Sequence, residues 1–365
     1  MPDNKSLCSP PLVSVLVPVY NVQAYLEECL DSLCRQTFTD FEVICINDGS
    51  TDDSRDIILK FCEKDARFRI IDKTNSGYGA SMNCGLDAAT GSYIAILESD
   101  DFCAPEALKR LVKTIEDFDA QVVKANCYFY WSGPPAKKRR KDLVPHTQTG
   151  RLVNPRVDRE IFSLTPSVWS ALYRRDFLAD KNIRFNETPG AAYQDSSFNF
   201  KVWASAIRVV FLKEAFVHYR QDNAASSVNS PAKVYCVCDE YEEMDRFLST
   251  QTEVPDWLLC LKAKMKYDTY IWNYERLADE FQLEFLQRMS AELNAEQALG
   301  HLDWQLFEEW KVLDLKSILR SPEDYHQQRQ KSGIRTKPGK ALHYLRLGGI
   351  SLLAKVVRSK LFHRY

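Results

Sequence analysis

Val-Ser-Val-Leu-Val-Pro-Val-Tyr-Asn, residues 13–21, decides how the amino-terminal half of the chain reads. Residues 13–17 are a largely β-branched apolar run of the kind buried in a parallel sheet, and Pro18 is expected to stop it. Ala24, Leu26, Leu30 and Leu33 then recur at helical spacing, which predicts one buried face. The same alternation repeats along the chain. Residues 41–46 predict a second strand that closes in the turn Asn47-Asp48-Gly49-Ser50. Thr51 or Asp52 is placed to cap a helix with Ile57, Ile58 and Phe61 turned inward. Residues 68–71 and 93–97 predict two more strands, Pro105 sits at the first turn of a further helix, and Val122 begins a fifth strand. Strands alternating with helices across short connections predict an α/β fold with a mostly parallel central sheet.

In an open α/β sheet, ligands bind beyond the carboxyl ends of the strands. Those ends here are residues 18–21, 47–50, 72–77 and Glu98-Ser99-Asp100-Asp101, and three of the four carry acids. No Gly-x-Gly-x-x-Gly follows the first strand, and the pair Gly77 and Gly79 meets Met82 where a third glycine would stand. A P-loop is absent as well, so phosphate must be neutralised another way. Carboxylates at the end of a buried strand can hold a hard divalent cation, manganese or magnesium, which in turn binds a diphosphate. The plainer alternative is that Asp100 and Asp101 cap the helix after Pro105.

Charge divides unevenly along the 365 residues. From Arg329 onward there are ten Lys or Arg and no Asp or Glu, while residues 1–328 hold 38 basic against 50 acidic side chains, about −12 net. An acidic body argues against nucleic acid as a partner. Eleven scattered cysteines, and a polar start at residues 1–11 without an apolar core, predict free thiols and a cytoplasmic location. Residues 131–154 read as a loop that contains the basic run Lys137-Lys138-Arg139-Arg140-Lys141, a solvated loop in the plainer reading and a contact for phosphate or acidic lipid in the other. From about 235 to 330 the pattern is helical, with Trp257, Trp272, Trp304 and Trp310 expected in its core. In residues 331–365, Ile350, Leu353, Ala354, Val357 and Leu361 fall at helical spacing among Lys355, Arg358, Lys360 and Arg364. That tail is expected to lie on an anionic membrane surface, the inner face of the cytoplasmic membrane, or else to pack on its own body or a second subunit in a homo-oligomer.

Order and spacing of these motifs resemble family 2 glycosyltransferases. The matching pieces are residues 13–21, Ser32-Leu33-x-x-Gln36-Thr37, residues 47–52, Asn75-x-Gly77, Asn83-x-Gly85-Leu86, Ala89-x-Gly91-x-Tyr93-Ile94 and residues 97–101 followed by Pro105. The likeness continues through residues 168–178, Ile183-Arg184-Phe185, Gln194-Asp195-x-x-Phe198 and, more weakly, His218-Tyr219-Arg220. The resemblance implies a GT-A fold over residues 1–225, with a nucleotide-binding half at 12–125 and an acceptor half at 126–225, ahead of a helical region at 226–330 and the basic tail.

It also implies site residues. Asp48 would hydrogen-bond the base, with Pro18 and Tyr20 lining its pocket and Asn75, Asn83, Glu98 and Ser99 completing the nucleotide site. Asp100 would ligate the metal with help from His218, Asp195 would be the catalytic base, and Trp169 and Gln194 would contact sugar or acceptor. Three residues depart from the pattern. Glu98 stands for the first Asp of Asp-x-Asp; Met82 replaces an Arg whose contact is supplied by Lys73 or by nothing; Gln194 replaces a Glu, which should leave Asp195 with a lower pKa than in a Glu-Asp pair. The implied activity is metal-dependent, inverting transfer from a nucleotide-diphosphate sugar, UDP-linked, to a saccharide or lipid-linked saccharide hydroxyl. A nucleotidyltransferase and a non-catalytic partner-binding module of the same fold are the alternatives.

Overall fold

The computed structural model describes residues 9–223, 233–333 and 336–362. Two compact units divide the chain at Val228 and Asn229.

Ten strands of the first unit form one mixed sheet. They are β1 (Val13–Val19), β2 (Phe41–Asn47), β3 (Phe68–Asp72), β4 (Tyr93–Ile96), β5 (Phe102–Cys103), β6 (Val122–Trp131), β7 (Lys137–Lys141), β8 (Leu152–Val153), β9 (Ala171–Arg174) and β10 (Val209–Arg220). The order is β3-β2-β1-β4-β9-β6-β10-β5, with β7 added on β6 and β8 on β10. The first four strands pair in parallel, as do β6 and β10, while β9 runs antiparallel between β4 and β6. Helices α1 (Gln23–Cys34), α2 (Ser54–Lys64), α3 (Tyr78–Ala88), α4 (Ala107–Asp117), α5 (Arg175–Asp180) and α6 (Gln194–Ser205) accompany them.

Several local expectations are corrected. β1 runs through Pro18 to Val19. The Leu16 carbonyl accepts from Leu97 N–H on the β4 side, so Pro18, two residues on, faces that side beyond the last β4 partner, where no ladder bond is lost. Ala24 is exposed and Cys29 takes its place inside α1. Asp53 occupies the N-cap position of α2, yet it is Asp52 whose carboxylate serves that end, accepting from Ser54 N–H and from Gln23 N–H, both at 3.0 Å, which ties the starts of α1 and α2 together. The stretch read as a loop contains β7, in which five consecutive basic residues form an edge strand on β6.

The second unit is helical: α7 (Cys236–Ser249), α8 (Asp256–Arg276), α9 (Asp279–Ala298), α10 (Glu309–Arg320), α11 (Pro322–Ser332) and α12 (Lys337–Phe362). Its core is built on tyrosines rather than tryptophans. Tyr267, Tyr270 and Tyr274 recur on one face of α8 and are fully buried with Phe285, Leu286, Met289 and Tyr325. Trp272, two residues from Tyr270 and so on the opposite face, is 45% exposed. Gly348 and Gly349 break α12, and beyond the break Leu352 and Val356 join Tyr344 against Trp310 and Leu313. The tail thus packs within its own unit. Ile350 and Val357 of the expected stripe stay exposed, and the side chains of Arg358, Lys360, Leu361 and Arg364 lie outside the described residues. Among the described residues, no helix is long and apolar enough to cross a membrane.

Candidate active site

The carboxyl ends of β1 and β4 open onto a cavity of about 540 Å³. Tyr20 and Asn21 follow β1 into its wall, the start of α1 supplies residues 22–25, and Glu98, Ser99 and Asp100 follow β4. Tyr78 at the start of α3, Trp169, Tyr219 of β10, Asn223 and residues 191–195 complete it. Asp195 lies in the first turn of α6, where the helix N-terminus favours a negative charge, and no side-chain cap is made there. Trp169 stacks on Tyr219, rings 4.9 Å apart and 15° from parallel, so two sequence-distant aromatics brace one another in the wall.

Glycine brings the two halves of this wall together. A Cβ on Gly79 would lie 1.9 Å from the Asn186 carbonyl oxygen, and Gly77, at φ +93°, would place one 2.8 Å from that of Thr188. Only glycine lets α3 approach the 186–190 segment this closely. Gln194 fixes the same segment. It accepts from Ala192 N–H at 2.6 Å and donates to Thr188 Oγ1 and the Gly190 carbonyl.

Three carboxylates share the cavity. Burial pushes Glu98 up to about 8, with Asp100 and Asp195 adding to the rise, although the Tyr78 hydroxyl donates to Glu98 Oε1 at 2.7 Å. Burial pushes Asp195 up to about 7, against the pull of the Lys124 cation. The neighbour Gln194 adds no like charge, but desolvation outweighs that relief. Lys124 is itself drawn down to about 7 by burial and donates to the Ser167 carbonyl (2.6 Å) and hydroxyl (2.8 Å). Asp100 accepts from Asn223 Nδ2 at 2.8 Å. Asp101 is buried, takes the Arg220 N–H on Oδ1, and has no partner for Oδ2 among the described residues.

An acid whose folded pKa is raised costs stability once it ionises, as pH rises through the ordinary carboxylate range towards the shifted value. Above about pH 7–8, Glu98 and Asp195 therefore burden the ligand-free fold, and a cation held by Glu98 and Asp100 would relieve the share that Glu98 contributes. Glu98 and Asp100 offer hard oxygen donors, which suits magnesium or manganese completing its shell with water and substrate phosphate. No group of three or more His, Cys, Asp or Glu among the described residues could hold a metal by itself. The donor set therefore fits a cation shared with substrate, and does not fit an all-protein cage.

The other expected residues fall elsewhere. Asp48 is buried outside the cavity wall, where it accepts from Ser76 N–H (2.9 Å) and Gly77 N–H (3.0 Å) and pairs with Lys73. Lys73, expected to stand in for the missing Arg, is held by that pair, and Met82 is core. Pro18 is buried in β1 and Asn75 is exposed in the β3–α3 connection; neither lines the cavity. Asn83 is corrected to a structural role. It is 4% exposed and spends its amide on Phe185 N–H, the Phe185 carbonyl and Glu187. Gln194 lines the wall with both amide ends committed, so it shapes the site rather than offering free donors. His218 is corrected as well. Successive strand residues point to opposite faces, and with Tyr219 in the cavity His218 faces away, stacked 4.4 Å from Phe102.

Residues 14–194 match the model of glycosyl transferase family 2. The uncharacterized glycosyltransferase EpsJ of Bacillus subtilis is 36% identical over 58% of this chain and 62% of its own length. Glycosyltransferase GlyG of Streptococcus pneumoniae is 30% identical over 58% of this chain and 71% of its own. The chain spans less than two thirds of the length of several relatives, 30% in the case of GlyA from the same organism. In fold, the crystal structure of S. aureus TarS 1–349 in complex with UDP superposes with a TM-score of 0.60 at 22% identity, covering 87% of this chain and 91% of that one.

Proposed function

The chain belongs to glycosyl transferase family 2, and from that premise we propose that it transfers a sugar from a UDP-linked donor to a saccharide hydroxyl. The observation that carries this reading is the convergence of Glu98, Asp100 and Asp195 on one cavity walled by Trp169 and Tyr219. The UDP complex of a protein with the same fold supports the choice of nucleotide.

In this reading Asp195 accepts the proton of the acceptor hydroxyl as its oxygen attacks the anomeric carbon. The bond from that carbon to the diphosphate oxygen breaks on the opposite face, its electron pair leaves with UDP, and the configuration inverts. Glu98 and Asp100 would hold a manganese or magnesium ion, which would supply positive charge for the departing diphosphate. Tyr78 fixes the Glu98 carboxylate and Asn223 that of Asp100. The Trp169–Tyr219 wall offers the sugar ring a flat apolar face. Purified protein with UDP-N-acetylglucosamine and manganese should release UDP slowly without acceptor. Consumption of nucleoside triphosphate in place of the sugar nucleotide would instead indicate a nucleotidyltransferase.

Lys124 sets the pH at which the base is ready. Its charge holds the Asp195 proton less tightly than burial alone would. Lys124→Met removes that charge, so Asp195 ionises only at higher pH and the acidic limb of the kcat/KM profile moves up from near 7. A limb that stays in place separates Lys124 from the base.

A further inference from the structure

The basic edge strand β7 takes no part in the site described so far. Lys137, Lys138, Arg139 and Lys141 have no carboxylate within ion-pairing distance among the described residues, whereas Arg140 is paired with Asp142. Paired residues of an antiparallel ladder share a face. Trp131 lies opposite Lys137, Phe129 opposite Arg139 and Cys127 opposite Lys141, so these three cations stand on one side of the hairpin. The Arg139 guanidinium lies over the Phe129 ring at 5.6 Å.

That same side leads to the cavity. Phe129 lies opposite Tyr219 across the β6–β10 ladder, with ring centres 6.0 Å apart, and it also meets Trp131 at 6.4 Å. Tyr219 is the residue stacked on Trp169 in the cavity wall. A run of aromatic side chains, their rings tilted to one another, thus passes from the reacting centre out along the hairpin, with cations that make no ion pair among the described residues beside it. On the opposite side Lys138 lies across from Tyr130, and the way from there to Tyr25 of the cavity wall is filled by Arg220, which is buried and already paired with Glu28.

We propose that this ribbon is the acceptor subsite and that the acceptor is a saccharide chain bearing anionic groups, phosphodiester or carboxylate. The inference rests on the transferase reading of the cavity and names its substrate class. Aromatic faces take the apolar faces of sugar rings. Lys137, Arg139 and Lys141 neutralise negative charges on residues further from the reacting hydroxyl, as cations do along any polyanion. Asp222, which shares the cleft at the hairpin tip, is occupied by Ser132 N–H and hydroxyl. Protection of a sheet edge against pairing would account for lysines on β7, but it is indifferent to which side of the strand they occupy and to the aromatic path.

Binding of fluorescent dextran sulfate and polygalacturonate, with neutral dextran as control, tests this on the full chain. The wild type should bind at least one of the anionic polymers about tenfold more tightly than dextran. K137S/R139S should lose about tenfold, while the charge-matched K138S/R140S loses less than about threefold. If loss of the Arg140–Asp142 pair unfolds that control, R139S against K138S decides on the same criterion. Equal losses on both sides mean unspecific attraction, and no discrimination by the wild type against dextran means edge protection only; either overturns the proposal. Binding to vesicles of anionic phospholipid with neither polymer bound overturns it in favour of a membrane contact. UDP-dependent thermal stabilisation, read in parallel, keeps the two readings apart. Its loss in the wild type sinks the transferase reading, whereas its persistence without polymer discrimination sinks the subsite alone.

Discussion

Asp195→Asn lowers the transfer rate by about a thousandfold and leaves manganese-dependent binding of UDP nearly intact. The rate falls because the amide cannot take the acceptor proton, and general-base contributions of this kind are worth about 10²–10⁴-fold. Binding persists because the diphosphate is expected at Glu98 and Asp100, on the connection after β4, whereas Asp195 sits at the start of α6. Stability gives an independent readout. Burial holds the Asp195 pKa up at about 7, so the ionised carboxylate is a cost to the fold at pH 8 that the amide lacks. The variant should therefore unfold at the same or a higher temperature than the parent at pH 8. Undiminished turnover removes Asp195 from the chemistry; loss of rate with a lower unfolding temperature makes it a structural residue.

Asp100→Asn weakens both nucleotide binding and turnover, the latter by about a hundredfold or more at limiting manganese. The asparagine carbonyl can still accept from Asn223 Nδ2, so the connection after β4 keeps its place and the change is one of charge. Removing one of two carboxylates also relieves Glu98, whose pKa should fall towards the ordinary range because Asp100 contributes to its rise. Raising manganese should recover part of the lost rate, since the defect is in affinity. Turnover that is unchanged in the presence of a chelator ends the metal assignment.

The amino-terminal strands and helices were legible because each solves a local problem that the sequence displays, an apolar run between turn residues or a stripe at helical spacing. Acids after β4 were legible for the same reason, since a strand end is a fixed place in this kind of sheet. Asp48 and Asn83 were legible as motif residues but not in their partners. Asp48 holds the backbone of residues 76 and 77, and Asn83 holds residue 185, contacts that depend on how distant loops return. His218 failed on strand phase, which a register with β6 and β5 fixes and spacing alone does not. Lys124 did carry a signal: a lysine inside Val122-Val123-Lys124-Ala125 must find partners in the core, and its partner Ser167 lies 43 residues away. Tyr78 and Asn223 carried none, and Tyr219 only its place in the weaker His218-Tyr219-Arg220 match. In the second unit, the residue that best fills the α8 seam proved to be tyrosine, which hydropathy ranks below tryptophan's apparent claim to a core.

Calorimetric titration of UDP into the wild-type protein, with and without manganese, puts the central claim to the most direct test. Micromolar binding that needs the metal, at one site per chain, is the predicted result. Equal affinity in its absence, or no binding in either condition, contradicts a cavity in which Glu98 and Asp100 grip a diphosphate through a shared cation.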